Sequence, residues 1–263
     1  MSARRPLFSP TRRQLCLGAA ALGVTLGVDR VARAFGDEGA FNPRILITGL
    51  AKWEGVRATA PARWSKELIT RTSAPARQAP TTVRADDPAL LAEPFAIWGG
   101  DSDPAPLTDK EVLGLRRFIA LGGVLFVDEF APEKGAFVRG TKRELARVVP
   151  EGAPVPIGTE HVVFHSFYLL TRAVGRVEGP AKLEAMVRAG AAQVIFSQHD
   201  LLGALARSAG DVSPLAVTPG GELQREHAIR LAVNIAMYVL CSNYKDDQVH
   251  APFLMRRRGP ERP

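Results

Sequence analysis

Cysteine is nearly missing from this chain: two among 263 residues, Cys16 and Cys241. Cys16 lies in a leader-like segment, which leaves one thiol for the body of the protein and excludes an internal disulfide. Long apolar runs are missing too. The most apolar stretch, Leu15 to Val28, is about 14 residues, short of the roughly 20 that a membrane-spanning helix needs. There is no H-E-x-x-H zinc helix and no G-x-S-x-G nucleophile elbow. Gly99-Gly100-Asp101-Ser102-Asp103 is glycine-rich but lacks the spacing and the lysine of a phosphate-binding loop, so nucleotide binding is not expected there. No internal repeat is present.

What is there begins with a targeting pattern. Thr11-Arg12-Arg13-Gln14-Leu15-Cys16-Leu17 is a twin-arginine motif, and the apolar Gly/Ala-rich stretch after it ends at Ala32-Arg33-Ala34, a small-x-small cleavage signature. Residues 1–34 are therefore expected to be a twin-arginine signal peptide, and the protein to be periplasmic or otherwise extracytoplasmic. The whole chain carries +7, but removing residues 1–34 takes away six of the 34 bases and one of the 27 acids. That leaves 28 bases against 26 acids, a net of +2, much of it in the tail Arg256-Arg257-Arg258. The basic balance thus reports a leader and a tail rather than a nucleic-acid surface. Residues 246–263 are expected to be a flexible basic tail, available for peripheral membrane contact. Between them, residues 35–245 are long enough for one domain with its own core.

The organising stretch of that domain is Gly122-Gly123-Val124-Leu125-Phe126-Val127-Asp128-Glu129. A short apolar run after a glycine turn predicts a strand buried on both faces. Arg44 to Leu50, Thr81 to Ala85, Pro94 to Gly100 and Ala191 to Ser197 predict further strands. Ala62 to Thr72, Leu107 to Ile119, Lys142 to Val149 and Glu222 to Leu240 predict helices, the second with a capping box from Thr108 and Glu111. Ala181 to Ala189 reads equally as helix or paired strands. The alternation gives an α/β fold: a mostly parallel central sheet with helices on both faces. Cys241, closing the last apolar pattern, is expected to be buried.

Ile97-Trp98-Gly99-Gly100, the helix into Gly122–Glu129, Phe137, Arg139, Lys142–Leu145, Val163–Tyr168, Phe196–Leu201 and Arg230–Tyr238 follow one another in an order that resembles the DUF4159 family. That family is bacterial, and its function is unassigned. The match runs from Asn42 to Asn243. The resemblance implies a three-layer fold like that of class I glutamine amidotransferases, in free exported proteins or in domains of membrane proteins. Those enzymes use a cysteine nucleophile on an elbow after a central strand. No cysteine follows any strand here, so amidotransfer is not expected.

Ligands of open α/β sheets sit beyond the carboxyl ends of the strands. Asp101, Asp103, Asp128, Glu129, His161, His165, Ser166, His199 and Asp200 fall at such ends or in the loops near them. The candidate ligand-binding set is Asp128, Glu129, His165, Ser166, His199 and Asp200. One reading makes it the seat of a polar ligand or an envelope protein partner in a non-catalytic module. A second makes it a divalent-metal hydrolase site, and a third gives Ser166 a nucleophilic role with a histidine. The structural alternatives are hydrogen-bonded histidines at strand ends, a turn hydroxyl for Ser166, and N-capping or pairing with Arg139, Lys142 or Arg143 for the two carboxylates. Asn234 is expected to tie down a loop. Trp53, Trp64 and Trp98 are either a binding surface or core anchors.

Overall fold

The computed structural model of this chain describes the backbone of residues 39–188 and 190–257, with side chains as far as residue 242. The leader (1–34) and the end of the tail (258–263) lie outside the described residues. The body runs from Phe41 onward.

The organising stretch is a strand. Gly122 turns at φ +89°, a value that L side chains resist, and β4 (Val124–Glu129) leaves it buried along its whole length. Its side chains alternate between two cores: Val124 and Phe126 enter one, Leu125 and Val127 the other. β3 (Phe95–Gly100) does the same with Phe95 and Ile97 against Ala96 and Trp98. This period of two is why such strands read as unbroken apolar runs. With β1 (Arg44–Ile47), β2 (Thr82–Arg84), β5 (Val155–Ile157), β6 (Leu183–Arg188) and β7 (Ala191–Ser197), they form a seven-stranded sheet in the order β2-β1-β3-β4-β7-β6-β5. β2, β1, β3, β4 and β7 are mutually parallel, while β6 and β5 add antiparallel. The ambiguous stretch around Ala181 is therefore strand β6, hairpinned onto β7.

One face of the sheet is covered by α1 (Ala60–Thr72), the short α4 (Leu201–Leu205) and α5 (Gly221–Arg257); the other by α2 (Asp109–Ala120) and α3 (Ala136–Val148). The expected α/β architecture is present. Trp64 and Leu68 of α1 are fully buried, and the Trp64 indole donates to the Ala232 carbonyl of α5 at 2.8 Å. The Thr108–Glu111 capping box forms in both directions. Two helices outrun their expected bounds by more than one turn. α3 starts at Ala136 rather than Lys142, because Glu129 accepts the Val138 amide at 2.9 Å and anchors the first turn. α5 runs on to Arg257, into the stretch expected to be a free tail.

Cys241 is exposed, contrary to the expectation. Val239 packs inside, and two residues further along a helix is about 200° around it, on the opposite face. The buried band of α5 runs through Ala228, Leu231, Ala232, Ile235 and Val239; Met237 and Leu240 only flank it. Among the described residues, no helix is long and apolar enough to cross a membrane.

Two buried polar groups hold loops to this frame. Asn234 takes the Tyr168 amide at 2.7 Å and donates to the carbonyls of Val163 and Tyr168, the loop-tying role expected for it. Arg44, 4% exposed, donates to the carbonyls of Ala89, Leu90, Glu93 and Phe95, closing the entrance to β3. Gly114 marks a tight approach: a Cβ there would lie 1.9 Å from the Ala85 carbonyl oxygen. Alanine favours a helix over glycine by about 1 kcal/mol, but the blocking atom is backbone and α2 must shift. Gly114→Ala is expected to destabilise by roughly 1–3 kcal/mol in urea denaturation; a more stable variant would refute that close packing.

Candidate functional site

The two carboxylates at the end of β4 are wholly buried and held by backbone. Asp128 accepts the amides of Leu201 and Leu202 at 3.0 and 2.8 Å, the first turn of α4. Glu129 accepts those of Ala131 and Val138 at 3.2 and 2.9 Å. Both roles are the capping alternative. The ion-pair alternative is not what forms: Arg143 binds Asp103 and Glu144, Lys142 binds Glu184, and Arg139 donates to the Lys134 carbonyl. Burial, and then the charge of Asp200, push the Asp128 carboxyl up to about 7.

Asp200 stands beside Asp128 because β7 ends there. It adopts a left-handed conformation (φ 53°, ψ 60°) and takes the Gly203 amide at 3.0 Å. A Cβ on Gly203 would lie 2.3 Å from that carboxylate, so the turn requires glycine. Arg57, from the loop after β1, grips Asp200 with two bonds: Nε to Oδ1 at 2.7 Å and Nη2 to Oδ2 at 2.6 Å. Arg176 donates to Oδ2 as well. One buried carboxylate thus ties together the loop after β1, the loop before β6 and the start of α4.

The histidines do not join this group. His199 is 1% exposed, and its Nε2 meets the Pro180 carbonyl at 2.8 Å. Burial holds its pKa down, which favours the neutral ring. Cβ atoms on Gly175 or Gly179 would press on its backbone or its ring, so the loop before β6 is folded around it. His161 accepts the Val163 amide through Nδ1 at 3.3 Å, and Ser166 donates to the Val162 carbonyl at 2.8 Å as a turn hydroxyl. His165 is exposed on the same loop. Among the described residues, no three His, Cys, Asp or Glu side chains assemble into a metal-binding group.

The open cleft lies elsewhere. From β1 the chain crosses to β2 on one side, while β3 lies on the other, and the gap at such a switch point is where α/β sheets take their ligands. A cleft of about 630 Å³ opens there, between the loop Thr48–Arg57 and the loop Gly99–Ala105, with Phe130 and Phe137 at its base. It falls within the roughly 300–1,000 Å³ of small-molecule sites. Gly99 and Gly100 shape the floor: a Cβ on either would collide with the ring of Phe130 (2.4 Å) or Phe137 (2.5 Å). The Arg57 guanidinium lies 4.6 Å from the centre of the Phe130 ring, and Trp53 packs 6.1 Å from it. Leu50 is 99% and Val56 49% exposed on the same loop, an unusual apolar exposure for so short a segment.

Of the tryptophans, Trp64 and Trp98 are core anchors and Trp53 is the partly buried one at the cleft. Arg57 has no motif around it in the sequence. Its importance follows from the strand order, which places the loop after β1 across from the end of β7.

Among curated proteins, none matches this sequence. The family model for a domain of unknown function, DUF4159, matches residues 44–240. That span runs from the first residue of β1 almost to Cys241 and takes in every strand, the cleft and the Asp128–Asp200 cluster, and the chain belongs to the DUF4159 family.

Proposed function

We propose that this protein is a non-catalytic binding module, exported by the twin-arginine route, on an amidotransferase-like scaffold without the nucleophilic cysteine. Its ligand seat is the cleft between the ends of β1 and β3. The observation that carries this reading is how the polar groups are used. Asp128, Glu129, His199 and Ser166 already serve backbone amides and carbonyls, whereas the cleft keeps aromatic and charged side chains at an open mouth. Neither cysteine nor histidine lines it, so Ser102 on its wall has no imidazole beside it to complete a Ser–His pair.

A fragment library titrated into isotope-labelled mature protein tests this by NMR. Binders are expected to shift the amides of residues 49–57, 99–102 and 130. Trp53→Ala is expected to weaken them at least about tenfold, the cost of losing one aromatic wall at roughly 1.4 kcal/mol. Shifts centred on His165 and His199, or stoichiometric zinc or manganese that disappears in His165→Ala, would overturn the reading in favour of a metal-dependent hydrolase.

A further inference from the structure

The charges around the cleft mostly cancel one another. Lys52 and Glu54 pair at 3.8 Å on the rim, and Asp103 is taken by Arg143 at 2.9 Å. Two groups are left over. The first is one edge of Arg57. Its Nε and Nη2 are held by Asp200 and the Phe130 carbonyl, and its plane by the Phe130 ring. No bond engages Nη1 among the described residues, and the side chain keeps 18% exposure at the cleft. A guanidinium fixed in this way loses little freedom on meeting an anion, so its remaining donors are preorganised.

The second is Asp101, exposed just past β3, with no hydrogen bond or ion pair among the described residues. Its charge reaches Arg57, yet the two form no contact. They stand on opposite walls, Arg57 on the loop after β1 and Asp101 after β3. A donor edge of a cation on one wall and a bare carboxylate on the other leave a dipolar gap. Trp53, Leu50 and Val56 add apolar surface beside it.

Resting on the cleft as ligand seat, we propose that the ligand is a small zwitterion with an apolar body, the chemical class of apolar α-amino acids and short peptides. Its carboxylate meets Arg57 Nη1 in a charge-assisted bond. Its ammonium group meets Asp101, and its side chain lies on Trp53. An anion alone would leave Asp101 opposed to it, and an amine alone would face Arg57.

Calorimetric titration of the mature protein near pH 7 with leucine, leucyl-leucine, 4-methylpentanoate, isoamylamine and the neutral 4-methylpentanamide tests this. Leucine and leucyl-leucine separate the amino-acid source from the peptide source by the spacing of their charges. At least one is expected to bind roughly tenfold or more tightly than either singly charged analogue, about 1.4 kcal/mol of discrimination. The gap is expected to shrink as salt rises. Asp101→Asn, at an exposed position that leaves the melting temperature unchanged, is expected to erase the preference over 4-methylpentanoate. Equal affinity for the singly charged compounds, or no binding of leucine or leucyl-leucine, overturns the proposal. If the neutral amide still binds and Trp53→Ala abolishes that binding, the cleft stands as the seat and only the charge assignment fails. If neither these compounds nor the fragment library bind in the cleft, both readings fail.

Discussion

Asp200→Ala is expected to cost about 3–5 kcal/mol of folding stability, the range for removing one partner from a buried ion pair. The carboxylate is fully buried and carries two bonds from Arg57, one from Arg176 and one from the Gly203 amide. Deletion leaves two guanidiniums without their counter-ion and the first turn of α4 without its cap. Alanine also tolerates the left-handed backbone at this position (φ 53°) less well than aspartate does. Asp200→Asn separates these causes. The amide keeps the shape and suits the left-handed conformation, but loses the charge, so an intermediate loss is expected. Urea denaturation monitored by tryptophan fluorescence provides the check. A loss below about 1 kcal/mol for the alanine variant would mean that water replaces the carboxylate without strain and that Asp200 is not the tie described above.

The second large effect is a pH dependence centred on Asp128. Its carboxyl rises from 3.8 in the unfolded chain to about 7 in the fold, first through burial and then through the charge of Asp200. The amides of Leu201 and Leu202 oppose the rise without cancelling it. A raised folded pKa means that the folded state holds the proton more tightly. The stabilisation is therefore complete below about 4 and is lost as pH climbs through about 7. A rise of that size corresponds to roughly 4 kcal/mol. Other carboxylates act in the opposite sense: Arg71 and Arg230 draw Glu226 down to about 2, which adds stability above pH 4.5 and loses it in acid. The total curve mixes both, so the useful quantity is a difference. The stability of the natural protein minus that of Asp128→Asn is expected to fall by about 3–4 kcal/mol between pH 4 and pH 7. A flat difference would show that Asp128 ionises freely. In an Asp200→Ala background the fall is expected to be smaller, because one of its two causes is gone.

The parts legible in the sequence were those set by local rules. β3 and β4 announced themselves because burial on both faces demands apolar residues in every register. The Thr108–Glu111 box needs only two residues at a fixed spacing. Asp128 and Glu129 were correctly placed at a strand end, but their partners lie 73 residues away at Leu201 and nine away at Val138, and no local pattern reveals which amides a carboxylate will meet. Cys241 follows the last apolar residues of α5, but the buried side at that end is set by Val239, and an apolar run alone does not tell on which side of the helix its next residue falls. The cleft was the hardest part to see. It exists because β1 lies between β2 and β3, and strand order is a property of the whole chain. Arg57 then acquires its meaning from Asp200, 143 residues further along the chain.

The sheet also ends in a particular way. Its outermost strands, β2 and β5, are each only three residues long, and β5 carries Pro156, which has no backbone N–H to offer a newcomer. Short, interrupted margins give another polypeptide little to pair with. Growth of this sheet from one molecule into the next is disfavoured at both margins, most at β5, where Pro156 offers no N–H.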